Sequence, residues 1–181
     1  FVAVYPPFSA WDPVQVPALH AALERPAPGE PLGLYIHLPF CQKKCDYCYY
    51  LSYIAQPATV VDHYLETLVR ELTLYSERPG VKGRALSWDG IAEVTFECAP
   101  RSVRREFLEA LREIGVTRLS MGVQSFDEAL LRLNGRVHLA EDVVRAYSLI
   151  RQADFAWVNL DLMCGLLGET ETKWRESIRR V

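Results

Sequence analysis

The run Cys41-Gln-Lys-Lys-Cys45-Asp-Tyr-Cys48 places three thiols within eight residues. Clustered thiolates are soft ligands that can converge on one metal centre. A closed tetrahedral zinc site needs four ligands, and an all-cysteine iron–sulfur cluster takes about one thiolate per iron. Three ligands therefore leave one metal corner open, and an open position is where chemistry happens. Two plainer explanations compete. Positions 41, 45 and 48 also share one helical face, where cysteines would pack as small hydrophobes, but Pro39, Gln42, Lys43, Lys44 and Asp46 fit an exposed loop better. Zinc with His37 as fourth ligand is the other, yet His37 falls in a strand-like run rather than in a second paired ligand knuckle. The spacing supports an open iron–sulfur site best.

The elements that must position this loop read as strands alternating with helices. Leu34-Tyr-Ile-His-Leu38 reads as a strand ending at the cysteines. An amphipathic helix follows over 59–76, with Thr59 and Asp62 resembling a capping box and an apolar stripe of Val60, Val61, Tyr64, Leu65, Leu68, Val69, Leu72 and Tyr75. Then come a strand over 93–98, a helix over 102–114 closed by Gly115, and a strand over 119–124. A short helix capped by Ser125 and Glu128 ends at Asn134-Gly135; a helix over 140–151, a strand over 157–163 and a helix from Thr170 complete the order.

This order implies a parallel sheet with helices outside. Within the strands, Leu34, Ile36, Leu38, Val94, Phe96, Leu119, Met121, Val123, Val158, Leu160 and Leu162 share one phase. The other phase is polar, small or aromatic: Tyr35, His37, Thr95, Glu97, Ser120, Gly122, Gln124, Asn159 and Asp161. In a βα barrel the first phase meets the helices and the second lines the lumen, with sites at the C-terminal strand ends. The fold class expected is α/β, an incomplete TIM-like (β/α) barrel. Residues 1–30 read as a proline-rich N-terminal arm with a short helix near residues 18–23, and 31–181 as the partial core domain.

The chain of 181 residues is 50% hydrophobic, enough for one core. Its net charge of −3 and lack of a basic block exclude nucleic acid and anionic membrane surfaces as expected partners. No apolar run reaches membrane-spanning length. Five cysteines, three of them clustered, do not form a secreted disulfide framework, so a cytoplasmic location is expected. Cys98 and Cys164 are expected to be buried strand-end thiols, and His20, His63 and His138 to lie on surfaces. The chain starts at Phe1 and stops at Val181 inside a helix-like pattern, which reads as an excerpt of something longer.

The cysteine motif, with Tyr47 before its last thiol, resembles the signature of radical S-adenosylmethionine (SAM) enzymes. The longer string from Leu34 to Cys41 resembles the branch holding oxygen-independent coproporphyrinogen III oxidases and related haem chaperones. Arg118-Leu-Ser-Met-Gly-Val-Gln-Ser-Phe126, Leu133-Asn-Gly-Arg136 and Asn159-Leu-Asp-Leu-Met-Cys-Gly165 are similar to further motifs of that branch, in order. Tyr5-Pro-Pro-Phe8 resembles the arm of its oxidase members. The resemblance implies a [4Fe–4S] cluster on Cys41, Cys45 and Cys48, SAM on the open iron, and a 5′-deoxyadenosyl radical that abstracts hydrogen from substrate. Tyr35, Glu97, Gln124, Arg136 and Asp161 match positions that contact SAM; no catalytic side chain is assigned. It implies a small-molecule substrate, whether porphyrinogen, haem or another aromatic, and an electron donor such as flavodoxin or ferredoxin.

One departure stands out. Between the first long helix and the Glu97 strand the family carries a strand, a Gly-Gly-Gly-Thr-Pro-like loop approaching the SAM amino group, and a helix. Here Arg84-Ala-Leu-Ser-Trp-Asp-Gly-Ile91 joins the two sides directly. The gap matches a whole strand–helix unit of about 30 residues. The implied activity is therefore radical SAM oxidoreductase chemistry of the coproporphyrinogen oxidase type with a weakened SAM site. A haem chaperone, a radical SAM methyltransferase and a non-catalytic electron-transfer protein are the alternatives; Tyr49, after the last cysteine, matches neither the oxidase nor the chaperone pattern.

Overall fold

The computed structural model describes residues 12–26, 29, 32–82, 84 and 90–181. These fall into two compact units, one drawn from the residues up to Leu38 with Gln56–Ile91, the other from Pro39–Ala55 with Ala92–Val181. The arm residues 5–8 lie outside the described residues, as do positions 85–89 of the direct connection.

The first unit holds helix α1 (Val16–Glu24) and later in the chain α2 (Ala58–Ser76). Gly80, just past α2, donates its N–H to Leu23 O at 2.7 Å, and a Cβ there would sit 2.7 Å from Ala22 O. Only glycine permits that approach to the end of α1. Arg78 and Glu24 pair at 3.0 Å across the same contact, on exposed side chains worth little by themselves.

Two expectations fail in this unit. The α2 helix starts after Pro57 as N-cap with no side-chain cap bond, so the Thr59–Asp62 box does not form. With Thr59 already inside the first turn, its hydroxyl has passed the position from which an N-cap reaches forward. Residues 34–38 belong to no strand among the described residues, and Leu34, at 60% exposure, and Ile36 are exposed. Among the described residues no strand lies between α2 and the next sheet. Tyr64 of α2 donates its Oη to His37 O at 2.6 Å.

The second unit carries the core. Its first pieces are two short parallel strands, β1 (Phe40–Cys41) and β2 (Tyr53–Ile54). Then β3 (Thr95–Cys98), α3 (Arg105–Glu113), β4 (Arg118–Gln124), α4 (Glu128–Leu133), α5 (Ala140–Gln152), β5 (Trp157–Leu162) and α6 (Glu171–Arg179) follow in order. The sheet runs β3-β4-β5, all parallel. Leu119, Met121 and Val123 are fully buried against Leu108 and Leu111 of α3 and Val143, Ala146 and Ile150 of α5, with Phe96, Val158 and Leu160 beside them. Burying each such side chain contributes about 1.5–3 kcal/mol. The opposite face holds Glu97, Ser120, Gly122, Asn159 and Asp161. The unit is thus an incomplete βα barrel, with the two strand phases divided as the sequence implies.

Helix ends explain the remaining differences. Pro100–Ser102 form a separate 3-10 turn, so α3 begins at Arg105 rather than near Ser102. It closes with Gly115 at φ +82° and Val116 N donating to Leu111 O at 3.0 Å. Asp127, not Ser125, caps α4 by accepting Leu130 N at 2.8 Å. That bond, with the Lys173 ammonium at 3.0 Å, holds its carboxyl below the usual range. Ser125 is instead buried beside Ser177, at 3.4 Å. No helix among the described residues is long and apolar enough to cross a membrane.

Candidate metal centre and cofactor-binding edge

The cysteine loop begins on β1 and returns through β2. Tyr53 N donates to Pro39 O at 2.6 Å and Ala55 N to Cys41 O at 3.0 Å, which ties the two ends of the loop together. Inside it, Cys48 N donates to Cys45 O at 3.0 Å. Cys41 is exposed and Cys45 and Cys48 are half-buried. Among the described residues no trio of His, Cys, Asp or Glu is arranged to grip a metal as it stands. His37 belongs to the first unit, where its Nδ1 meets Tyr35 Oη at 3.2 Å. Tyr35, 71% exposed, belongs to that unit too.

Arg136 connects the loop to the sheet. It donates Nη1 to Cys45 Sγ at 3.4 Å and Nη2 to Gly122 O at 2.7 Å. Its buried Nε has no hydrogen-bond partner among the described residues, while the Tyr47 hydroxyl lies close to both Cys45 and Arg136. Burial drives the Tyr47 phenol up to about 12, against the opposing pull of the Arg136 guanidinium; charge on Cys45 adds to the rise. A buried polar atom without a partner invites a bound group.

The β4 strand is bulged between Gly122 and Gln124, and Gln124 adopts φ +68°. Bulges re-aim side chains beside sites. A Cβ on Gly122 would lie 2.9 Å from Gln124 Nε2 and 3.5 Å from Arg136 Nη2, so the glycine gives both side chains their room. Asp161 accepts Ser120 Oγ at 2.7 Å, which fixes one carboxylate oxygen. Glu97 pairs with Ser120 in register, and Gly122 pairs with Asp161. Cys98 lies beside both carboxylates; burial first, then the charges of Asp161 and Glu97, push its thiol to about 12. Cys164 is exposed rather than buried, because β5 ends at Leu162 before reaching it.

The second unit therefore gathers Glu97, Gln124, Arg136, Asp161 and Cys45 on one polar sheet edge. Sequence reasoning missed Ser120 and Gly122 as positioning residues, although both lie on the lumen phase that marked the others. It also misplaced His138. That ring is buried, with Nε2 against Val123 O at 3.0 Å. Burial, then the Arg136 charge, lower it from its usual 6.5 to about 4. Between those values only the unfolded chain binds the proton, so stability is full above about 6.5 and is lost as pH falls toward 4. Urea melts should show about 2 kcal/mol less stability at pH 5 than at pH 7 from this residue, and His138→Gln should flatten that slope. An unchanged slope would remove His138 from the account.

Three thiols on one loop, an unpartnered guanidinium nitrogen and the Arg136 charge beside Cys45 suit an iron–sulfur cluster carrying a polar, carboxylate-bearing ligand. Comparison with known proteins agrees. The Radical SAM superfamily model matches residues 81–181. The Heme chaperone HemW of Bacillus subtilis is 34% identical over 172 residues, covering 80% of this chain and 45% of its own length. An oxygen-independent coproporphyrinogen III oxidase of Bradyrhizobium diazoefficiens is 30% identical over 185 residues, covering 87% of this chain and 41% of its own. That matched stretch is longer than the whole chain, so the relative carries residues inside it that this chain lacks. The solved coproporphyrinogen III oxidase (HemN) of Escherichia coli superposes with a TM-score of 0.76 at 28% identity, covering 91% of this chain and 44% of that one. The chain thus spans less than half the length of these relatives. It belongs to the radical SAM superfamily, in the branch of oxygen-independent coproporphyrinogen III oxidases and HemW haem chaperones.

Proposed function

We propose that this chain is the cluster-bearing part of a radical SAM oxidoreductase that acts on a porphyrin-related substrate. Cys41, Cys45 and Cys48 would hold the [4Fe–4S] cluster, and Arg136, Glu97, Gln124 and Asp161 would hold SAM. The bound cluster and SAM supply one-electron cleavage of the sulfonium and a radical that abstracts hydrogen; the chain's residues orient and shield. Arg136 would pair with the methionyl carboxylate through its guanidinium. Ser120 donates to one Asp161 oxygen, and the other oxygen would accept from a hydroxyl or amine. A small reducing protein of the flavodoxin or ferredoxin type would supply the electron.

The observation that carries this reading is the Arg136 bridge, which joins a cluster cysteine to the strand end where the other polar side chains meet. Haem delivery is the second reading, favoured by the 34% identity to a HemW protein. The test is anaerobic reconstitution followed by two titrations. Iron near four per chain is expected. Formation of 5′-deoxyadenosine that rises with coproporphyrinogen supports the oxidoreductase; saturable haem binding without it replaces that reading with the chaperone. Bound zinc, or no metal with the thiols intact, defeats both.

A further inference from the structure

The cysteine loop rests on the turn at residues 134–136, and the contact is too close to be incidental. Gly135 sits at φ +75°, and a Cβ there would lie 3.0 Å from Asp46 Oδ1, 3.1 Å from its Cγ and 3.2 Å from its backbone nitrogen. Asp46 N donates to Asn134 O at 3.3 Å, and Arg136 Nη1 to Cys45 Sγ at 3.4 Å. The turn itself is fixed to the core. Buried Asn134 donates Nδ2 to Leu130 O at 2.8 Å and to Leu167 O at 3.1 Å, and its Oδ1 accepts Leu167 N at 3.0 Å. Three successive residues thus touch the segment between two of the thiols, and each is anchored elsewhere: Asn134 in α4 and the loop after β5, Gly135 by its left-handed backbone, Arg136 on β4.

We propose that this turn is a clamp that sets the cysteine loop before any metal binds, with Gly135 as the positioning residue at its contact point. The inference rests on reading Cys41, Cys45 and Cys48 as cluster ligands. A loop held at Asp46 by the protein need not be ordered by the metal, so cluster assembly begins from a loop already placed.

The full chain, metal-free and anaerobic, gives the direct readout. The Asp46 amide is expected to be protected from hydrogen exchange. Gly135→Ala is expected to speed alkylation of Cys45 by iodoacetamide about tenfold, and to lower the iron retained on reconstitution, with far-UV circular dichroism unchanged. Adding Asp46→Ala removes two of the three atoms that the new methyl would meet, and is expected to restore slow alkylation. Equal Cys45 rates in wild type and Gly135→Ala overturn the clamp. So does an Asp46 amide in the wild type that exchanges without protection, a result that needs no variant. A wild type that protects Asp46 yet takes up no iron defeats the cluster reading while supporting the clamp.

Discussion

Replacing any one of Cys41, Cys45 or Cys48 with alanine is expected to take bound iron from about four per chain to near zero, with loss of the broad charge-transfer absorption. The size of the effect follows from ligand number. A cubane already short of one protein ligand has no spare thiolate, and two cysteines cannot hold it against chelation. The fold should survive, because none of the three thiols belongs to the buried core, which lies on the other face of the sheet and on α3 and α5. Cys98→Ala and Cys164→Ala provide the contrast. Burial and two neighbouring carboxylates keep the Cys98 thiol protonated to about 12, which makes it a poor ligand, and Cys164 lies beyond the end of β5. Both variants should keep their iron. Anaerobic iron analysis checks all five, and full retention in a Cys45 variant would end the cluster assignment.

The second large effect concerns SAM. With dithionite as reductant, the reconstituted chain is expected to form 5′-deoxyadenosine about a hundredfold more slowly than the Escherichia coli oxidase it resembles. The polar edge of the second unit offers Arg136, Asp161, Glu97 and Gln124, but no glycine run occurs in the sequence to bring backbone groups against the SAM amino group. A ligand held by its carboxylate and ribose alone is free to misplace the reacting sulfonium, and small misplacements are costly in rate. The long stretch matched in the Bradyrhizobium diazoefficiens oxidase, 185 residues against 181 in this whole chain, agrees with a missing segment. High-performance liquid chromatography of the nucleoside products measures the rate. Cleavage at the relative's rate would show that the glycine run is dispensable here.

Ranges and side-chain phases of β4, α5 and β5 were readable from the chain because their signals are local. Two- and 3.6-residue periods and a glycine after a helix act within a turn or two of themselves. The thiol spacing likewise pointed to the radical SAM family, which the match over residues 81–181 shows. The same local rule misled at Ser125, where Asp127 offered the better helix cap, and the alternation over 34–38 yields no strand among the described residues.

Tertiary structure alone decided which groups meet. That Arg136 reaches Cys45, that Ser120 orients Asp161, that Gly135 admits Asp46 and that His138 is buried against Val123 all join residues 15 to 91 positions apart. Spacing fixes the face a side chain takes within its own element. Which partner waits there depends on how separate elements pack, and packing is a property of the whole sheet with its helices.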